Sequence, residues 1–109
     1  MSFEQLEKLE KRYEELEHFL ASSEAFSNKE QYNKYAKELS DIKDKVALFR
    51  EYKRLSKEIQ ELENVIKEKH DKELGELVKK ELLELGGKKA HLEERLKDIL
   101  SGEDKDLQR

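Results

Sequence analysis

From Tyr32 to Ile66 the chain places an apolar residue at every third or fourth position, and no Gly or Pro interrupts the run. The residues are Tyr32, Tyr35, Leu39, Ile42, Val46, Phe49, Tyr52, Leu55, Ile59, Leu62 and Ile66. At 3.6 residues per turn this spacing makes one continuous stripe, which predicts a single helix over about 28–68, ~60 Å long. So long a helix cannot cover its own stripe. It needs partners along both halves, and the flanking segments have to supply them.

Both flanks carry the same rhythm. Phe3, Leu6, Leu9, Tyr13, Leu16, Phe19 and Leu20 predict a helix over about 3–21, with Ser2 and Gln5 spaced as a capping box. A short connection, Ala21 to Phe26, rich in small and polar residues, follows, and Ser27 with Glu30 offers a second capping box. After Lys69-His70 the pattern restarts, with Asp71 as N-cap of a helix over about 72–100. That helix carries Leu74, Leu77, Val78, Leu82, Leu85, Leu92, Leu96, Ile99 and Leu100 and should fold back along its predecessor. Acid-first i,i+4 pairs such as Glu4 with Lys8 and Glu93 with Lys97 support helix locally. The expected fold is all-α: three long antiparallel helices in a coiled-coil-like bundle, one domain over 1–100, with 101–109 a polar tail or linker.

Composition excludes several classes. The chain is 46% charged and 35% hydrophobic, with no Pro, Cys or Trp, a profile of long helices; regular apolar spacing argues against disorder. Without cysteine there are no disulfides or thiolate metal sites. Met1 to Leu9 has neither a basic start nor an apolar run, so neither a signal peptide nor a membrane contact is expected, and the cytoplasm is the expected compartment. A formal net charge of −4 leaves attraction to nucleic acid to local patches.

No constellation points to catalysis. Gly86-Gly87-Lys88-Lys89 lies inside a helical pattern, where two glycines suggest a kink or a close helix approach; no strand precedes them as a phosphate loop requires. Glu15-x-x-His18 is half of a di-iron motif, but its only companion, His91-x-x-Glu94, has reversed order. His70 has no Ser, Cys or paired base at a recognisable spacing. Tyr32, Tyr35, Phe49 and Tyr52 share the apolar stripe and read as core rather than as a stacking platform. No enzyme activity, cofactor, metal or small-molecule substrate is expected.

Tyr13-Glu14-Glu15-Leu16-Glu17, then Tyr32 through Leu39, then Phe49-Arg50-Glu51-Tyr52-Lys53-Arg54-Leu55 with Glu58-Ile59, Asp71-Lys72-Glu73-Leu74 and Lys80-Glu81-Leu82 together resemble the N-terminal helical domain, of PCRF type, of bacterial class 1 peptide chain release factors. The resemblance runs from about Leu6 to Leu100 and is closest to the release-factor-one branch. Leu100-Ser101-Gly102-Glu103 is instead similar to the release-factor-two branch. The resemblance implies a four-domain parent whose other domains read the stop codon and carry a Gly-Gly-Gln loop. It also implies that this domain is a non-catalytic module of translation termination, lying toward the stalk base of the large ribosomal subunit. The alternative reading is a generic coiled-coil domain that binds a partner protein's helix; a two-helix tRNA-binding arm of a seryl-tRNA synthetase would not break twice.

One surface stands out for a partner. Arg50, Lys53, Arg54 and Lys57 follow i, i+3, i+4, i+7 and form a stripe opposite Phe49, Tyr52, Leu55 and Ile59. Residues 28–57 carry nine Lys/Arg against five Asp/Glu, whereas residues 1–26 carry three against seven. The stripe is therefore either the solvated face of a charge-balanced helix pair or a contact for ribosomal RNA or an acidic protein.

Overall fold

A computed structural model describes residues 3–68 and 72–107. Among them every long element is helical: α1 Glu4–Leu20, a short 3-10 turn Ser23–Ser27, α2 Lys29–Glu68 and α3 Lys72–Leu107, with no strand. The all-α class holds. The chain divides into two compact units, Met1–Phe49 and Arg50–Arg109, and the 40-residue α2 contributes its first part to one and its second part to the other.

In the first unit α1 runs antiparallel to α2. Phe3 meets Phe49 edge to face with ring centroids 6.1 Å apart, Phe19 meets Tyr35 at 4.8 Å, and Arg12 reaches Glu38. The midpoints of the three pairs all fall within one residue of position 26 in the 3-10 turn, as a helical hairpin demands. Leu6, Leu16, Val46 and Phe49 are buried, so the 3/4 rhythm of both helices does face inward. In the second unit the Lys89 ammonium lies 5.6 Å above the Tyr52 ring, a pairing centred on the connection between α2 and α3. Val78, Leu85 and Leu92 recur at intervals of seven and Leu96 follows four later, all buried, the spacing of a coiled-coil seam.

Element ends follow from local chemistry. Ala21 closes α1, its amide reaching Glu17 O at 3.1 Å. The second helix is capped by Asn28, whose Oδ1 accepts the Gln31 amide at 3.0 Å. Ser27, expected as the cap, instead turns its hydroxyl back to Glu24 O at 2.7 Å. Asn28 is extended, at φ −129° and ψ 93°, which aims its side chain at the third amide of the helix; Ser27 is already committed to the 3-10 turn. The caps expected at Ser2 and Asp71, together with His70, lie outside the described residues. The first helix begins at Glu4, with Phe3 at the cap position and no side-chain cap bond. Helix α3 continues to Leu107 rather than ending near residue 100, because nothing from Ser101 onward removes a backbone donor.

Two expectations about α3 are corrected. Leu77, part of the apolar stripe by its spacing, is 66% exposed; its neighbour Val78 takes the inward position. Gly86 and Gly87 are not there for a close helix approach, since a Cβ built on either would meet nothing within 4 Å and neither has positive φ.

The Arg12–Glu38 pair is forked, Nε to Oε2 at 2.5 Å and Nη2 to Oε1 at 2.9 Å. The same guanidinium contacts Glu15 at 3.4 Å and lies 5.4 Å from the Tyr35 ring centre. The hydrogen bond from Arg12 holds the Glu38 carboxyl below its usual range, against the opposing effect of burial. With both side chains more than a third exposed, solvent limits the pair to no more than about 1 kcal/mol.

Replacing both Gly86 and Gly87 with Ala should raise stability by about 1 kcal/mol per site, seen as a higher melting midpoint by circular dichroism; a lower midpoint would mean that the glycines serve a packing role. Glu38→Gln should cost at most about 1 kcal/mol at neutral pH. Because the folded Glu38 titrates lower than the unfolded one, its stabilisation is complete above the ordinary carboxylate range, and it disappears as pH falls through the folded value. The wild-type and Glu38→Gln denaturation curves should therefore converge on acidification; a gap that persists in strong acid would refute this assignment.

Candidate functional site

The basic stripe of α2 lies wholly within the second unit. Arg50, Arg54 and Lys57 are exposed and Lys53 is half-buried, while Phe49 and Leu55 on the other side are buried and Tyr52 and Ile59 are half-buried. Helix geometry thus separates a core face from a charged face, and the apolar contacts of α2 hold the four cations outward.

Their charges are not equally available. Arg54 is clamped by two carboxylates of its own helix: Nε to Glu51 Oε2 at 3.0 Å, a second bond to Glu51 Oε1, and Nη1 to Glu58 Oε2 at 3.1 Å. The hydrogen bond from Arg54, seconded by its charge and that of Lys88, keeps the Glu51 carboxyl below its usual range. The Arg54 guanidinium is pushed up, first by its bond to Glu51. Arg50 and Lys53 are engaged by other groups as well. Among the described residues Lys57 has no ion-pair partner, which makes it the stripe's most available cation. A phosphate approaching Arg54 has to displace carboxylates, so four basic residues present less than four units of positive field.

The other residues weighed in the sequence stand apart from this surface. Glu15 and His18 are both exposed on α1, and no group of three or more His, Cys, Asp or Glu among the described residues is arranged to hold a metal ion. Gly86, Gly87 and Lys88 lie within α3 and form no loop. Tyr35 meets Phe19 edge to face and Tyr52 meets Lys89, so these rings line helix contacts. No helix among the described residues is long and apolar enough to cross a membrane.

Sequence reasoning missed one feature, in the connection before α2. Phe26 is 79% exposed and stacks on Tyr32, with centroids 6.3 Å apart and planes 23° from parallel. With Ala25 and Lys29 these rings line a shallow depression of about 340 Å³. Its only signal in the sequence was a phenylalanine outside any periodic run.

A family model described as PCRF domain matches residues 9–109. Peptide chain release factor 1 of Geobacillus sp. (strain WCH70) is 38% identical over 102 residues, covering 94% of this chain and 28% of that protein. The protein of the same name from Bacillus mycoides (strain KBAB4) is 36% identical over 93% of this chain, and that from Carboxydothermus hydrogenoformans 35% over 94%, each match again covering 28% of the relative. No solved structure matches the chain. The chain spans under a third of the length of the curated relatives it matches, but the family model and these identities cover nearly all of its own residues, and it belongs to the PCRF domain family.

Proposed function

We propose that this chain is a non-catalytic module of a translation termination factor, working in the cytoplasm and contacting the ribosome at the stalk base of the large subunit. The observation that carries this reading is its similarity, along nearly its whole length, to one part of bacterial release factor 1. Physical chemistry is consistent with the division of labour. Peptide release needs a group that positions water at an ester and another that reads a codon. The described residues offer helices whose polar groups pair with one another, as in the Arg12–Glu38 and Arg54–Glu51 contacts.

In this reading the α2 stripe is the contact for ribosomal RNA or for an acidic protein beside it. Lys57 would neutralise a phosphate directly, whereas Arg50 and Lys53 would do so by exchanging the groups that now engage them, and Arg54 by exchanging Glu51 or Glu58. Each phosphate neutralised releases counterions, so its contribution weakens as salt rises. No cofactor or small-molecule substrate enters this role.

Replacing Arg50, Lys53, Arg54 and Lys57 together with Gln should weaken binding to large ribosomal subunits. It should also flatten the dependence of log affinity on log salt by about 0.7–0.9 for each phosphate no longer neutralised, with helicity retained. Unchanged affinity and slope would make the stripe ordinary solvated surface. The purified chain should release no peptide from ribosomes stalled at a stop codon; stop-codon-dependent release by the chain alone would contradict the non-catalytic reading.

A further inference from the structure

Gly86 and Gly87 weaken α3 and serve no contact inside the chain, since a Cβ on either would meet nothing within 4 Å. They border its outer face. Glu76, Lys79, Leu83, Gly87, Ala90, Glu94 and Lys97 recur at intervals of three and four, which places them on one side of the helix, opposite the buried Leu85 and Leu92. All seven are exposed, and Leu83 leaves 79% of its surface in solvent. A single exposed leucine is ordinary, but this one lies a turn from Gly86, Gly87 and Ala90, where the helix offers only backbone and one methyl group. A knob and a hollow thus sit side by side on an exposed face.

Charge order says what covers this face. Both signs occur along it, so it lacks the uniform positive field that attracts a nucleic acid backbone or an anionic lipid surface. The order is instead self-complementary. Lys79 and Glu94 are equidistant in sequence from the Gly86–Gly87 peptide bond, as are Glu76 and Lys97, and Leu83 and Ala90. Among the described residues none of these four charged side chains has an ion-pair partner within the chain. A second copy laid antiparallel across the glycines brings each lysine to a glutamate and each Leu83 to an Ala90, whereas a parallel copy would set like charge on like charge. We infer that this face of α3 pairs with the same face of a second copy of the chain, antiparallel, with the two-fold axis at Gly86–Gly87. The glycines let the two backbones approach, Leu83 of each copy fills the hollow of the other, and the flanking lysine–glutamate pairs fix the direction. The pairing does not depend on ribosome binding, and the face is a different surface from the α2 stripe.

The test uses the whole chain in sedimentation velocity. The chain should pass from monomer to dimer as its concentration rises to about 1 mM, and Leu83→Lys should remove the dimer with helicity unchanged, since that side chain is already in water. Lys79→Glu and Glu94→Lys should each weaken self-association about tenfold or more. An equimolar mixture of the two variants should restore it, because each then meets its opposite charge. The chain has no cysteine, so direction can be read independently: an oxidised mixture of Lys79→Cys and Glu94→Cys should give the mixed disulfide, and Lys79→Cys alone should not link to itself. A chain that stays monomeric at about 1 mM overturns the inference. So does a dimer that Leu83→Lys or the two charge variants leave intact, or Lys79→Cys linking to itself in preference to the mixed pair.

Discussion

The structure depends on covering the apolar stripe of α2. A 40-residue helix exposes far more hydrophobic surface than its own turns can hide, and isolated helices draw most of their stability from such packing. In the first unit α1 supplies the cover, through Phe3 and Phe19 against Phe49 and Tyr35. In the second, α3 presents Val78, Leu85, Leu92 and Leu96 inward at coiled-coil spacing. Once the apolar side of α2 is committed, its polar side has no choice of direction. The exposure of Arg50, Arg54 and Lys57 is a consequence of where Phe49 and Leu55 must go.

Electrostatics refines this frame without creating it. Residues 1–26 are acidic and residues 28–57 basic, which suggests a simple attraction between α1 and α2. The forked contact between those helices runs the other way, with an arginine of the acidic segment donating to a glutamate of the basic one. Counting charges by segment gives the net field, but contacts are decided by which side chains share a flank. On α2 the same principle draws Glu51 and Glu58 around Arg54, because residues three and four apart are neighbours on a helix surface.

The fold class was legible because the 3/4 apolar period is long and uninterrupted. The limits of α2 were nearly legible, missing only the choice between two adjacent capping residues. Ser27 and Asn28 are both good caps, and what separates them is the backbone of the 3-10 turn, which a one-dimensional pattern does not encode. Gly86 and Gly87 misled because glycine in a helix has several causes, and only the space around the missing Cβ excludes close packing. Leu77 and Val78 are both apolar, and the phase of the α3 seam, set by its partner helix, decides which turns inward. The exposed stack of Phe26 on Tyr32 was invisible for the opposite reason: it belongs to a non-repeating segment, where no periodicity assigns a residue to inside or outside. Family membership was legible through the order of segments, since composition alone makes Glu/Lys/Leu helices resemble one another.

The placement of the helix pairings about nearby turns also bears on kinetics. Phe3 with Phe49, Arg12 with Glu38 and Phe19 with Tyr35 are all symmetric about one short connection, and Tyr52 with Lys89 about another. Such a hairpin can close from its turn outward, each new pairing adding only a short further loop to those already shut, so little chain entropy is lost before favourable packing begins to compensate. Together with the i,i+4 bonds of the helices, this gives the chain a low contact order, the topology associated with folding in microseconds to milliseconds.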